Sequence, residues 1–194
     1  RINWWALGIA LAVGLFVSLA STLIFGAAGL LRIHFQTLDM GQWLLLLVVA
    51  GTGLLVQTGT EEFMYRGYLT QFVRRYTANP IAFIGVPAMI FAAMHIANIA
   101  AFGGHWYALL PYLVSALLYA WFAYRTGALW MAIGLHWANN LGNSVLVGTD
   151  MDVLPSLAPV IIEHPSFNLV LGVTLFGALL TFVLLEALIR RRVG

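Results

Sequence analysis

The chain has 194 residues, of which 62% are hydrophobic and 8% charged, with a mean hydropathy of +0.93 and a formal net charge of +2. That composition excludes a soluble globular fold and describes an integral membrane protein, read here as a single domain over residues 1–194. The absence of cysteine also excludes a disulfide framework, a thiolate metal site and a cysteine nucleophile.

Apolar runs near the length that crosses a bilayer, about 20 residues, recur along the chain. The first, Trp4 to Leu31, is too long for a cleaved signal peptide and flows into further spans. The second runs from Gln42 to Val73 and carries Glu61, Glu62 and Arg66 in its interior. Four more follow: Pro80 to Ala97, Trp106 to Tyr124, Ala128 to Val147, and Asn168 to Ile189. The predicted fold class is therefore all-α, a polytopic transmembrane helical bundle of about six spans. Because the sequence starts at Arg1 rather than Met, residues and even helices beyond it are an expectation to keep.

All nine basic residues are arginine. Alternate threading of the spans puts Arg1, Arg74, Arg75, Arg125 and Arg190 to Arg192 on one side and only Arg32 on the other. The positive-inside rule makes the first side cytoplasmic, with both ends of this segment inside. Asp39, Asp150, Asp152 and Glu163 collect on the opposite side. Trp4, Trp5, Trp43, Trp106 and Trp130 lie near span ends, where interfacial belts and bundle packing fit them equally well. The connection from Gly148 to Phe167 has Pro155, Pro159 and Pro165 around an apolar middle at Leu154, Leu157, Val160, Ile161 and Ile162, and is expected to form a short interfacial segment. Glu163, His164, His34 and His105 are expected at the solvated surface, without a role. Gly8, Gly14, Gly172 and Gly177 are expected to permit close helix approach.

The chemistry lies in the few polar residues inside these runs. A charged side chain at the bilayer centre costs roughly 2.5 to 3.5 kcal/mol on insertion scales, so Glu61, Glu62 and Arg66 need partners or a wet cavity. Glu62 and Arg66, four apart, can pair on one helix face. Glu61 is rotated by about 100° from Glu62 and must face something else. The candidates are His95, near the end of the third span, and His136 with Asn140, one turn apart on the fifth. At about 1.5 Å per residue, Glu61, His95 and His136 lie roughly 21, 22 and 13 Å from the arginine-rich flanks, so three helices can meet at one site.

A lone intramembrane histidine is ordinarily explained by a helix–helix hydrogen bond. Two His, an Asn, two Glu and an Arg on separate spans are not. Together they hold what amide hydrolysis needs: Glu61 and His95 to hold and deprotonate a water, and His136 and Asn140 to donate hydrogen bonds to the developing oxyanion. No serine or threonine is placed as a nucleophile.

Three ordered motifs, Glu61-Glu62-x-x-x-Arg66, Phe91-x-x-x-His95 and His136-x-x-x-Asn140, resemble those of the CAAX-protease and bacteriocin-self-protection membrane proteins, the CPBP or Abi family. The resemblance covers roughly Thr58 to Asn143 and is strengthened by Arg66-Gly67 and by Thr126-Gly127-Ala128-Leu129-Trp130. It implies an intramembrane glutamate-type endopeptidase whose eukaryotic relatives remove the last three residues of prenylated CAAX proteins. Carried over by position, Glu61 and His95 would activate water and His136 and Asn140 would form the oxyanion hole. Glu62 and Arg66 would play an orienting or structural part. The family commonly has about eight helices, which leaves flanking helices open.

The partners expected on this reading are a membrane peptide or protein substrate and the lipid bilayer, not nucleic acid. The absence of lysine points to a prokaryote with a high-GC genome and so to its cytoplasmic membrane. No cofactor is expected. The alternative is a zinc protease with His95, His136 and Glu61 as ligands, weakened by the lack of a His-Glu-x-x-His pairing on one helix. A non-catalytic scaffold or partner-binding protein is the reading from another class, but interhelical polar contacts are worth only about 0.6 kcal/mol on average, too little to explain so many costly residues. A proton-coupled transporter would be expected to show an inverted repeat or paired broken helices, and neither is visible.

Overall fold

The computed structural model of the protein describes residues 1–102, 105–149 and 157–193, so the expectations for Asp150, Asp152, Leu154 and Pro155 lie outside the described residues. Helix α1, Trp4–Ala27, starts where the Asn3 side chain accepts the Ala6 N–H at 3.0 Å. A short strand, β1 (Ile33–Phe35), leads to α2, Met40–Glu62, whose first turn is capped by Asp39 through the Gln42 N–H at 3.0 Å. The rod continues without interruption as a π-helical stretch, Phe63–Leu69, and then α3, Thr70–Arg74. Asn79 caps α4, Pro80–Ala93, and Pro80 sits in its first turn, where a missing N–H is harmless. Two 3₁₀ turns, Ile96–Phe102 and Trp106–Leu109, pass into α5, Leu110–Thr126. Gly127, at φ +66°, ends α5 in a left-handed turn that suits glycine. Helix α6, Trp130–Val145, strands β2 (Val147–Thr149) and β3 (Val160–Ile162), and α7, Phe167–Val193, complete the described chain.

The six predicted spans therefore appear as six helical passes, and the all-α bundle is the observed fold. Four passes are long and apolar enough to cross a membrane on their own. The other two, α4 with 14 residues and α6 with 16, are short for a physical reason. Met131 to His136 are all buried, so α6 is surrounded by protein and need not match the hydrocarbon thickness. Helix α4 ends early, and 3₁₀ turns carry the chain onward.

The connection expected to be a simple interfacial segment contains a strand instead. Val160 to Ile162 pair antiparallel with Ile33 to Phe35 and parallel with Val147 to Thr149, in the sheet order β1-β3-β2. Backbone groups at this edge of the bundle are satisfied by the small sheet rather than by water alone. The sheet also gathers the C-terminal ends of α1 and α6 and the N-terminal ends of α2 and α7 on one side. His34 and Glu163, both substantially exposed there, pair at 2.9 Å across β1 and β3. On the other side Arg125 Nε lies 3.4 Å from Glu186 of α7. Glu186, a buried carboxylate that drew no attention in the sequence, also accepts the Trp121 indole N–H at 3.1 Å.

The closest helix packing is between α1 and α6. A methyl group at Gly134 would meet the Leu7 carbonyl oxygen at 2.5 Å and Ala10 Cβ at 2.9 Å, one at Gly14 would meet Ala138 Cβ at 2.5 Å, and one at Gly142 would meet Ser18 Oγ at 3.2 Å. Ala10, Gly14 and Ser18 thus face Gly134, Ala138 and Gly142 in parallel register, a ladder of small residues that brings two backbones together. Gly177 and Gly172 make ordinary contacts with α1, while Gly8 faces open space and is not a packing glycine.

Two outcomes follow from this arrangement. Gly134→Val should lower the yield and melting temperature of the folded protein, with overpacking costing about 1 to 3 kcal/mol, whereas Gly8→Ala should leave both unchanged. Reporter fusions after Arg75 and Arg125 should read the same side of the membrane, and a fusion at Gln36 the opposite one; agreement among all three would break the threading.

Candidate active site

Glu61 and Glu62 end α2 at the point where it passes into the π-helical stretch. Such widened turns recur at functional sites because they redirect side chains within a continuous helix. Being consecutive, the two carboxylates diverge. Glu62 is completely buried, while the Glu61 side chain keeps 23% of its surface exposed.

Glu62 Oε1 accepts two short hydrogen bonds, from Arg66 Nη1 at 2.7 Å and from His136 Nδ1 at 2.8 Å. The first is the pair predicted from the four-residue spacing. The second was not predicted, and it binds α2 to α6. Arg66 is in turn held from three directions. Its Nη2 donates to the Ala116 carbonyl of α5 at 2.9 Å, and its guanidinium carbon lies 4.8 Å from the centre of the Phe91 ring and 5.6 Å from that of Tyr119. Aromatic faces take up a cation's field where water is excluded.

His136 is consequently fixed in tautomer as well as in place. An ionised carboxylate accepts only, so the proton on its side of the ring is on Nδ1. The ring stacks on Tyr119 with centroids 5.0 Å apart and meets the Phe91 ring edge-on at 5.5 Å. Its Nε2 points toward Glu61, with 3.8 Å between Nε2 and Oε2, too long for a direct hydrogen bond. The other Glu61 oxygen accepts from Gln57 Nε2 at 3.1 Å.

His95 follows the end of α4. Its Nδ1 lies 2.9 Å from the Phe91 carbonyl, one of the acceptors a helix end leaves unpaired. A carbonyl also only accepts, so Nδ1 carries the proton and the neutral ring keeps its lone pair on Nε2. The ring stacks on Tyr112 at 4.3 Å, and Asn98 Nδ2 donates to the Tyr112 hydroxyl at 3.0 Å.

The structure thus joins Glu62, Arg66 and His136 directly, brings Glu61 within 3.8 Å of His136, and reaches His95 through the Phe91 ring, which lies 4.7 Å from the His95 ring. Among the described residues, no hydrogen bond or ion pair links His95 to Glu61. Asn140 is half-buried one turn beyond His136, and its polar contacts are local, accepting from Asn139 Nδ2 at 3.4 Å and from the Ser144 hydroxyl at 2.8 Å. Glu61, His95 and His136 suit zinc by donor type, yet no group of three His, Asp or Glu among the described residues is gathered as a metal-binding set. The residues that sequence reasoning missed are mostly aromatic. Phe91 was noted as a motif letter without a task, and Tyr112 and Tyr119 were passed over. Their seven-residue spacing, which places both on one face of α5, was the available signal.

The family model for type II CAAX prenyl endopeptidases, Rce1-like, matches residues 36–142, which include all of these motifs. An uncharacterized protein of Bacillus subtilis (strain 168), YyaK, is 25% identical over 171 residues, covering 87% of this chain. The chain spans 57% of the length of that relative. No solved structure matches.

Removing the Arg66 countercharge should reveal how far the cluster holds the fold. Arg66→Ala leaves Glu62 buried and unpaired on one side, a loss of about 3 to 5 kcal/mol, to be seen as reduced folded protein after detergent extraction. Arg66→Lys, which lacks the planar fork that reaches Glu62 and Ala116 together, should fall between Ala and wild type. Normal levels of Arg66→Ala would show that the pair is not structural.

Proposed function

We propose that this chain, which belongs to the Rce1-like family of type II CAAX prenyl endopeptidases, hydrolyses a peptide bond of a membrane-associated substrate with a water activated by Glu61 and His95. The observation that carries the reading is the grip of Glu62 on His136. With Nδ1 occupied at 2.8 Å, the Nε2 edge of the ring is presented to Glu61 at 3.8 Å, so a carboxylate and an imidazole nitrogen face one another across a small gap.

In the proposed reaction, Glu61 and the Nε2 lone pair of His95 hold a water and take its proton as its oxygen attacks the scissile carbonyl carbon. The carbonyl oxygen becomes an oxyanion that accepts from His136 Nε2–H and from the Asn140 amide. Collapse of the tetrahedral intermediate breaks the C–N bond, and the proton held by the base passes to the leaving amine. Donation from Nε2 requires a doubly protonated His136. Glu62 and Arg66 are positioning residues here. The substrate class is a membrane-anchored peptide or protein, prenylated CAAX chains being the example given by the family's description. The reaction would take place in the cytoplasmic membrane of a prokaryote, with the arginine-rich side of the bundle inside.

Measured on a confirmed membrane peptide, Glu61→Gln and His95→Ala should nearly abolish cleavage while folded protein stays near wild-type levels. Asn140→Ala should keep a residual rate, reduced by about 10² to 10³, because one oxyanion donor survives. Activity should withstand a strong chelator; its loss, with rescue by zinc, would replace this mechanism with the metal-dependent one. Full cleavage by Glu61→Gln would sink the glutamate-base assignment.

A further inference from the structure

Behind the aromatic wall of the site lies a cavity of about 670 Å³ between α1, α5, α6 and α7. Tyr112 and Tyr119, the rings that stack on His95 and His136, belong to its lining. None of the four proposed catalytic residues does. At one end the cavity touches Val147, Thr149 and Ile162 of the small sheet, on the arginine-poor side, and at depth it reaches Leu135 and Gly14. From Asn143 to Leu135 on α6 this is roughly 12 Å of penetration.

The lining is unusual for the interior of so apolar a chain. Ser18, Ser21, Ser115, Asn139 and Asn143 all border the space. Asn139 and Asn143 are exposed although α6 is otherwise the most enclosed helix, so their exposure is to this cavity and not to lipid. An acyl chain in this space would leave the exposed amides of Asn139 and Asn143 facing hydrocarbon, whereas water would hydrogen-bond to them, and the volume is ample for several molecules.

We infer that this cavity is a water-filled vestibule, open on the arginine-poor side, that brings hydrolytic water to the aromatic wall of the active site. Hydration of the vestibule stands on the lining alone; its role as supply rests on the proteolytic reading above. Hydrolysis consumes one water per bond cut, and the bilayer itself supplies none at this depth. Tyr112 and Tyr119 would then separate stored water from the two histidines, with the ring edges as the point of passage.

The absence of cysteine makes the test direct, because any introduced thiol is the only one in the chain. Ser115→Cys and Asn139→Cys in proteoliposomes should react with a charged, membrane-impermeant methanethiosulfonate added on the Gln36 side. Their rates should exceed that of the apolar helix-face control Val48→Cys by about tenfold or more, since the thiolate forms only where water reaches it. Rates equal to the control, or reaction only from the arginine-rich side, would overturn the vestibule. Supply is tested separately by filling the space with Thr174→Trp, or with Ala178→Leu should the larger change fail to fold. Either should lower kcat several-fold at unchanged KM. Unchanged turnover in a folded, plugged variant would overturn the supply role. Labelling as expected in a protein that cleaves no peptide would leave the hydrated cavity standing and remove the proteolytic reading instead.

Discussion

A carboxylate with no exposure inside a membrane bundle must be neutralised locally, and the way Glu62 meets that requirement organises the rest of the molecule. Arg66 supplies the charge from the next turn, but a guanidinium has five donors, and one carboxylate oxygen uses only one of them. Of the others, Nη2 reaches the Ala116 carbonyl of α5 while Nε finds no acceptor among the described residues, and the Phe91 ring of α4 lies against the guanidinium face. The second lone pair on the same oxygen takes His136 from α6. One buried ion pair therefore ties together four helices, and a pair of this kind is sensitive to the loss of either partner.

That cluster could not form if α6 were placed loosely. The small-residue ladder against α1 sets α6 at close range on one face, leaving little freedom to rotate, because Gly134 already lies against the Leu7 carbonyl. His136 and Asn140 lie on the face turned away from this ladder. Side chains at 134, 138 and 142 point to α1, and those at 136 and 140 are displaced from them by more than a quarter turn. Packing on one side of α6 thus fixes chemistry on the other. Dispersion and close backbone approach do this work in a bilayer, where apolar burial between helices contributes little.

Much of this was legible before any coordinates. Span positions followed from apolar runs, and the Glu62–Arg66 pair from a four-residue spacing. What failed to show were partnerships between helices. Glu61 was the carboxylate left seeking a histidine, yet Glu62 holds His136, because one oxygen can serve Arg66 and an imidazole together and the sequence does not reveal that sharing. The sheet was missed because strands of three residues are shorter than any periodicity can register, and its β1–β3 pair joins segments more than a hundred residues apart. Tyr112 and Tyr119 were hidden by context, since aromatic residues in a membrane span are ordinary until a ring is seen to lie flat on a histidine.

The two histidines are alike in sequence and unlike in support, and their proposed division of labour rests on that difference. Each gives up Nδ1 to an acceptor, and His136 presents Nε2 to Glu61. His95 is held by a backbone carbonyl, which is uncharged, so its neutral ring offers a lone pair at Nε2 suited to receiving a proton. His136 is held by a carboxylate and faces another, and the proposed donor role requires a proton on both of its ring nitrogens. Exchanging the two supports would exchange the roles. On the proposed reading the group behind each Nδ1 sets what its Nε2 can do, and those groups are the carbonyl of Phe91 and the carboxylate of Glu62.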